Sequence, residues 1–378
     1  MATAKNKFSL SMEQRALLDK AAKKTKSLEY IETGNVGLDL ALTDGKGLPL
    51  GSSTLFWAKP GSGKTTVVAD ASRRLIQAAK NRGEVFKVLY LAVEDSSALM
   101  SSLGLDEYIE SGDFIYVGMQ LCWRHVETFY EAVLNEYDKY SGVKLIVIDS
   151  VNNVLSDQNM KNSVADGDFG TKSRERSQFY SKFLPLCKEK GISSFFISQV
   201  RRKQDAGLFG DPNKAAVSDV DLHNVDIILK CTASTSSTDA SKIEEETIFG
   251  KDKVASKCIF KMDSKAMDCK NRYTKGNAVE LLFEKGKCVW NYYTVKKLLT
   301  GNKLLKSPSA GWYSFDSEIC SSFGIPEGKI RNAEVNNLIQ EHVGDFISLL
   351  KQMGKYKVGL RETEVAITED EIEDEGEE

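Results

Sequence analysis

Between residues 30 and about 230 the chain alternates short apolar runs with longer amphipathic stretches. SSTLFWA (52–58), VLYLAVE (88–94), LIVIDS (145–150), SSFFISQ (193–199) and VDIILKC (225–231) have the length of strands. Most are apolar at nearly every position, as strands covered on both faces of a parallel sheet are. The stretches between them, such as 65–82, 124–139 and 172–190, are long enough for crossover helices. This alternation predicts an α/β fold with a mostly parallel central sheet, flanked by helices and wound right-handed. Upstream, Leu10, Met12, Ala16, Leu17, Leu18 and Ala21 recur along one side of a helix. That helix reads equally as a docking arm and as an element packed on its own domain.

Past residue 231 the pattern changes. Residues 232–257 are polar and low in complexity, which predicts a loop or excursion. Strand signals resume at CIFKM (258–262) and AVELLFE (278–284), and a Lys-rich region follows. The expected division is an N-terminal helical docking arm (1–29), the α/β core (30–290), a small α+β C-terminal domain (291–361) and an acidic disordered tail (362–378). No internal repeat is visible.

Charge sharpens this division. The net charge is −3, but residues 362–378 hold ten carboxylates and no Lys or Arg, so the rest of the chain carries +7. A basic body with an acidic tail suits a polyanion binder whose tail competes for its basic surface, or a tail that only solubilises. The seven cysteines are scattered, with no C-x-x-C pair, which points away from a disulfide frame or a zinc site. The three histidines are far apart. No run approaches the ~20 apolar residues of a membrane span, and the first residues lack an apolar signal region. The expectation is a cytoplasmic protein with no membrane partner.

The chemistry is concentrated in AKPGSGKTT, Ala58 to Thr66, which follows a strand signal and opens a helix signal. This is the context of a phosphate-binding P-loop. Gly61 and Gly63 permit the turns that aim successive backbone N–H groups at phosphate oxygens, with Pro60, Ser62 and Thr66 in the same loop. Lys64 is expected to reach the β- and γ-phosphates of ATP, and the Thr65 hydroxyl to serve Mg²⁺. Ala58 stands where the motif has its first glycine.

Three later strand ends carry matching groups. KLIVIDS ends with Asp149 and Ser150, where a carboxylate can hold Mg²⁺ through its water shell. VLYLAVEDS ends with Glu94 and Asp95, either of which can polarise an attacking water. SFFISQV ends with Gln199, whose amide can contact a γ-phosphate.

In their order and spacing these segments resemble the RecA-like strand-exchange recombinases, including bacterial RecA and the phage UvsX proteins. ETGNVGLDLAL (32–42), LAVED, LIVIDSVNNV, DGDFGTKSRERSQ (166–178), ISQVRRKQDAGLFGDP (197–212) and GWYSF (311–315) carry the likeness, over about residues 30–315. The resemblance implies Glu94 as the base that activates water and Gln199 as the coupler to a second DNA loop. It implies Phe169, Gly170 and Arg174 in a first DNA loop, and Arg201, Arg202, Lys203 and Phe209 in the second. Lys261 and Lys265 in FKMDSKA are candidates for basic groups entering a neighbour's ATP site. The chain departs from the pattern in three places. Its second loop is one residue longer than in bacterial RecA, the paired glycines after it are missing, and no tyrosine matches the adenine-stacking position.

Arg and Lys bind a nucleic-acid backbone without reading sequence, and an exposed Phe can stack on bases. Together with the resemblance, which implies an ATP-dependent filament on single-stranded DNA, this gives the expected function. The filament would pair that strand with homologous duplex DNA, in a nucleoid or a viral replication compartment, and meet single-strand-binding and mediator proteins there. A hexameric helicase or translocase with the same core, and a regulatory ATP-binding protein, are the rival readings.

Overall fold

The computed structural model describes residues 11–12, 28–160, 171–199, 219–234, 257–265, 269–284 and 287–356. The helix read over 10–25 lies outside these residues except for Ser11 and Met12, and so do the acidic tail and most of 232–257.

The apolar runs become one sheet. Its main strands are β1 (Ser53–Ala58), β2 (Lys87–Ala92), β3 (Phe114–Gly118), β4 (Val143–Asp149), β5 (Ser193–Gln199), β6 (Ile227–Ser234), β7 (Lys257–Asp263), β8 (Ala278–Glu284) and β9 (Cys288–Trp290). They lie in the order β9-β8-β7-β6-β1-β5-β4-β2-β3, with a short strand at Lys270–Asn271 beside β6. From β6 to β3 all neighbours are parallel. From β6 to β9 they are antiparallel.

Side chains of a strand alternate between faces, so a strand without a polar face must be covered twice. That is what happens here. In β1, Phe56 and Ala58 join one apolar core, while Leu55 and Trp57 join the other. In β4, Leu145 and Val147 face the first core, and Ile146 and Ile148 the second. The first face is covered by α1 (Val36–Thr43) and α2 (Lys64–Asn81), the second by α3 (Trp123–Leu134) and α4 (Thr171–Lys190). β3 escaped the sequence reading because it is an edge strand, short and buried fully only at Phe114 and Ile115.

The C-terminal region is α+β, as expected. It holds α5 (Asn291–Gly301), β10 (Leu305–Ser309), β11 (Trp312–Phe315), α6 (Ser317–Phe323), β12 (Ile330–Arg331), α7 (Asn332–Glu341) and α8 (Val343–Gln352). β10, β11 and β12 form a separate three-stranded sheet containing GWYSF. Phe315, Val335, Ile339, Phe346 and Leu350 pack into the same apolar core that α1 and α2 cover. Among the described residues no helix is long and apolar enough to cross a membrane.

Candidate nucleotide site

The strands from β6 to β3 are parallel, so their C-terminal ends gather at one edge of the sheet, where loops leave for the helices. α/β folds place their ligand crevices there. The loop after β1 turns tightly, with Gly61 at φ 71° and Gly63 at φ 98°, and α2 starts at Lys64. Gly63 is confined twice. Its φ disfavours any L side chain, and a Cβ there would lie 2.3 Å from the Phe283 ring of β8. Ala58, in place of the motif's glycine, is a buried strand residue paired with Gln199 of β5, with no left-handed backbone to satisfy.

Lys64 is 6% exposed, and its Nζ donates to the carbonyls of Ala58 (3.0 Å) and Lys59 (2.9 Å). Burial pushes the ammonium below its ordinary pKa, while Cys231, Asp149 and Glu94 act in the opposite sense. Beside it, Thr65 Oγ1 donates to Asp149 Oδ2 at 2.7 Å, and the Tyr90 hydroxyl donates to the same oxygen at 2.8 Å. Asp149 is 6% exposed; burial raises its pKa, and the hydrogen bonds from Thr65 and Tyr90 act against that rise. The Ser62 and Ser150 hydroxyls are buried and have no hydrogen-bond partner among the described residues.

These residues fit a Mg²⁺–nucleoside triphosphate. The loop offers turned backbone N–H groups, a helix N-terminus and a buried ammonium for phosphate. Thr65 and Asp149 offer the hard oxygens that Mg²⁺ prefers. Ser62 is a buried polar group in the phosphate loop with no partner among the described residues.

On the other side of the cleft, Glu94 lies two residues beyond the end of β2. Its Oε1 accepts from Gln199 Nε2 at 2.8 Å and from Asn153 Nδ2. Asp95 turns elsewhere: it accepts from the Ser97 N–H (3.0 Å) at the start of the next helix. Of the two carboxylates, Glu94 is the one that lines the cleft. The cleft encloses about 380 Å³ and is lined by Pro60 to Thr66, Glu94, Leu99, Asp149, Ile197 and Gln199.

The fold thus brings together Pro60, Gly61, Ser62, Gly63, Lys64, Thr65, Thr66, Asp149, Glu94 and Gln199, which are spread over 140 residues of sequence. Ser150 adjoins them but does not line the cleft. Lys261 and Lys265 do not line it either; Lys261 on β7 pairs with Asp263 at 3.6 Å, and Lys265 is exposed. Arg174 is exposed in the first turn of α4. Phe169, Gly170, Arg201, Arg202, Lys203 and Phe209 lie outside the described residues.

Three contributors were not singled out from the sequence. Tyr90 looked like one more apolar strand residue in VLYLAVE, because nothing local reveals what a phenol meets across the sheet. Asn153 reaches Glu94, and Asn152 Nδ2 donates to Ser198 Oγ (2.9 Å) and to the Gln199 carbonyl (3.0 Å). The only local signal was the pair of amides Asn152 and Asn153, starting three residues past the end of β4.

Comparison with known proteins agrees with this geometry. Residues 44–205 match the family model described as AAA domain. The chain is 28% identical over 192 residues to protein RecA of Mycoplasma genitalium, covering 50% of this chain and 52% of that protein. It is 26% identical over 193 residues to protein RecA of Campylobacter hominis, covering 50% and 51%. The chain thus spans about half the length of the curated relatives it matches. Sheet order, phosphate loop and these likenesses give one result: the fold is that of a RecA-like P-loop ATPase core.

Proposed function

We propose that this protein is an ATP-dependent DNA recombinase, assembling as a filament on single-stranded DNA and pairing that strand with homologous duplex DNA. The observation that carries the reading is the hydrogen bond between Glu94 and Gln199. Gln199 is the last residue of β5, and the chain continues from it into VRRKQDAGLFGDP (200–212). A group that senses the γ-phosphate is therefore one residue away from a basic, Phe-containing stretch suited to DNA.

In this reading Lys64 and the loop from Pro60 to Thr66 hold the triphosphate, and Thr65 and Asp149 hold Mg²⁺, with Ser150 beside them. A cation bound there would supply the positive charge that phosphoryl transfer needs. Glu94 takes the proton of the attacking water, and Gln199 reports whether the γ-phosphate is present. Phe169, Gly170 and Arg174, with Arg201, Arg202, Lys203 and Phe209, contact the DNA. Lys261 or Lys265 enters the site of the next subunit, which their position outside the chain's own cleft leaves open to them. Residues 1–29 act as the docking arm, 30–290 as the core, 291–361 as the C-terminal domain and 362–378 as the acidic tail. Single-strand-binding and mediator proteins are the expected partners.

The test is joint-molecule formation from labelled single-stranded DNA, a homologous duplex and a non-hydrolysable ATP analogue. Joints that require homology and nucleotide, but not turnover, support the recombinase, since a motor cannot work without hydrolysis. Unwinding driven by ATP, with no joints, makes the protein a helicase. Absence of both activities and of ATP turnover leaves a regulatory nucleotide-binding protein.

A further inference from the structure

We infer that Tyr90 is a positioning residue for the metal-binding corner of this cleft: its hydroxyl fixes the orientation of the Asp149 carboxylate. The inference rests on the nucleotide-site reading above and adds a residue to it.

Tyr90 lies inside β2, between β4 and β3, in register with Val147 on one side and Tyr116 on the other. Asp149 sits two residues further along β4, opposite Ala92. Residues two apart on a strand share a face, so the phenol extends toward the strand ends and meets the carboxylate from beneath. Its ring is fully buried, with Phe114 at 5.6 Å and Tyr116 stacked at 6.2 Å. A phenol so enclosed has little freedom, and its O–H needs an acceptor. It finds Asp149 Oδ2 at 2.8 Å.

Thr65 donates to that same oxygen from α2, at 2.7 Å. Two donors from different elements therefore converge on Oδ2. Thr65 alone would leave the carboxylate free to turn about a single contact. With Tyr90 as a second, rigid donor, Oδ2 is held in place and Oδ1 remains to accept from the water shell of a bound cation. A simple core filler would need no hydroxyl at this point: phenylalanine fills nearly the same space and avoids burying a polar atom.

The experiment compares wild type, Tyr90→Phe and Tyr130→Phe. Tyr130 is also a fully buried phenol, but its hydroxyl meets Ser194 Oγ (3.0 Å) at the opposite end of the sheet strands. Each protein is titrated calorimetrically with a non-hydrolysable ATP analogue, once with Mg²⁺ and once with EDTA. Bound Mn²⁺ is counted separately by electron paramagnetic resonance. For Tyr90→Phe, affinity with Mg²⁺ should fall roughly tenfold, as expected for losing a hydrogen bond to a charged group. Its affinity in EDTA should stay within about twofold of wild type, with weaker Mn²⁺ binding in the presence of the analogue. Tyr130→Phe, which loses a buried hydroxyl elsewhere, should match wild type in both titrations. Equal losses with and without metal in Tyr90→Phe would reduce Tyr90 to a packing role, and no loss in either condition would also overturn the inference. If wild type binds no nucleotide in either condition, the nucleotide-site reading itself falls, a result distinct from the other two.

Discussion

The floor and the rim of the cleft are built differently. On the floor, Lys64 and Asp149 are each 6% exposed. They belong to a helix start and a strand end, and Thr65 and Tyr90 tie Asp149 in place. On the rim, Glu94 is exposed and Gln199 half-buried, and they hold each other with help from Asn153. Charges on the floor act where the surroundings are poorly polarisable, so each is strong and each must be placed by the scaffold. Groups on the rim are more solvated and are held by side-chain amides alone, Gln199 and Asn153 on Glu94. In the proposed reading, the half that would bind phosphate is built in advance, while the half that would activate water answers to what is bound.

This contrast can be broken by substitution. Lys64→Ala removes the floor's cation and should leave no ATP-dependent DNA binding in a gel-shift assay; intact binding would mean that nucleotide and DNA are uncoupled. Glu94→Gln removes a base from the rim while keeping its shape. ATP turnover should drop by about 10²-fold or more, with Mg²⁺–nucleotide affinity nearly unchanged. If affinity collapsed with turnover, floor and rim would not be separable. Gln199→Ala should lower the enhancement of DNA affinity by nucleotide by about tenfold, measured as the ratio of DNA dissociation constants with and without the ATP analogue. An unchanged ratio would remove Gln199 from the coupling.

The smallest effect is expected at Ala58. Restoring the motif's glycine, Ala58→Gly, should change ATP affinity by less than about twofold. It should cost about 1 kcal/mol of stability in denaturant unfolding, because glycine is poorly suited to a strand interior. A large gain in affinity would show that the loop, and not only the strand, is sensitive to this position.

Much of this is legible in the sequence. VLYLAVE, LIVIDS and SSFFISQ announce covered strands because burial on both faces leaves no room for polar positions. AKPGSGKTT announces a phosphate loop because only glycines take its turns and only a lysine reaches its ligand. The fold class and the candidates Lys64, Thr65 and Asp149 came from such local constraints, whereas Gln199, and Glu94 in preference to Asp95, came from the resemblance to a known family.

What remained hidden is relational. No local pattern separates Glu94 from Asp95; that Glu94 is the one lining the cleft depends on where one residue of rotation sends each side chain past the end of β2. Tyr90 became visible only when β2 and β4 lay side by side, since a phenol in an apolar run gives no sign of its acceptor. Asn152 and Asn153 matter through Ser198, Gln199 and Glu94, which are distant in sequence. The ban on a side chain at Gly63 comes partly from Phe283, 220 residues away. Sequence pattern records which face of an element must be buried and which turns need glycine, because those constraints act within a few residues. Which polar groups meet is decided by strand order and register, because hydrogen bonds form between neighbours in space.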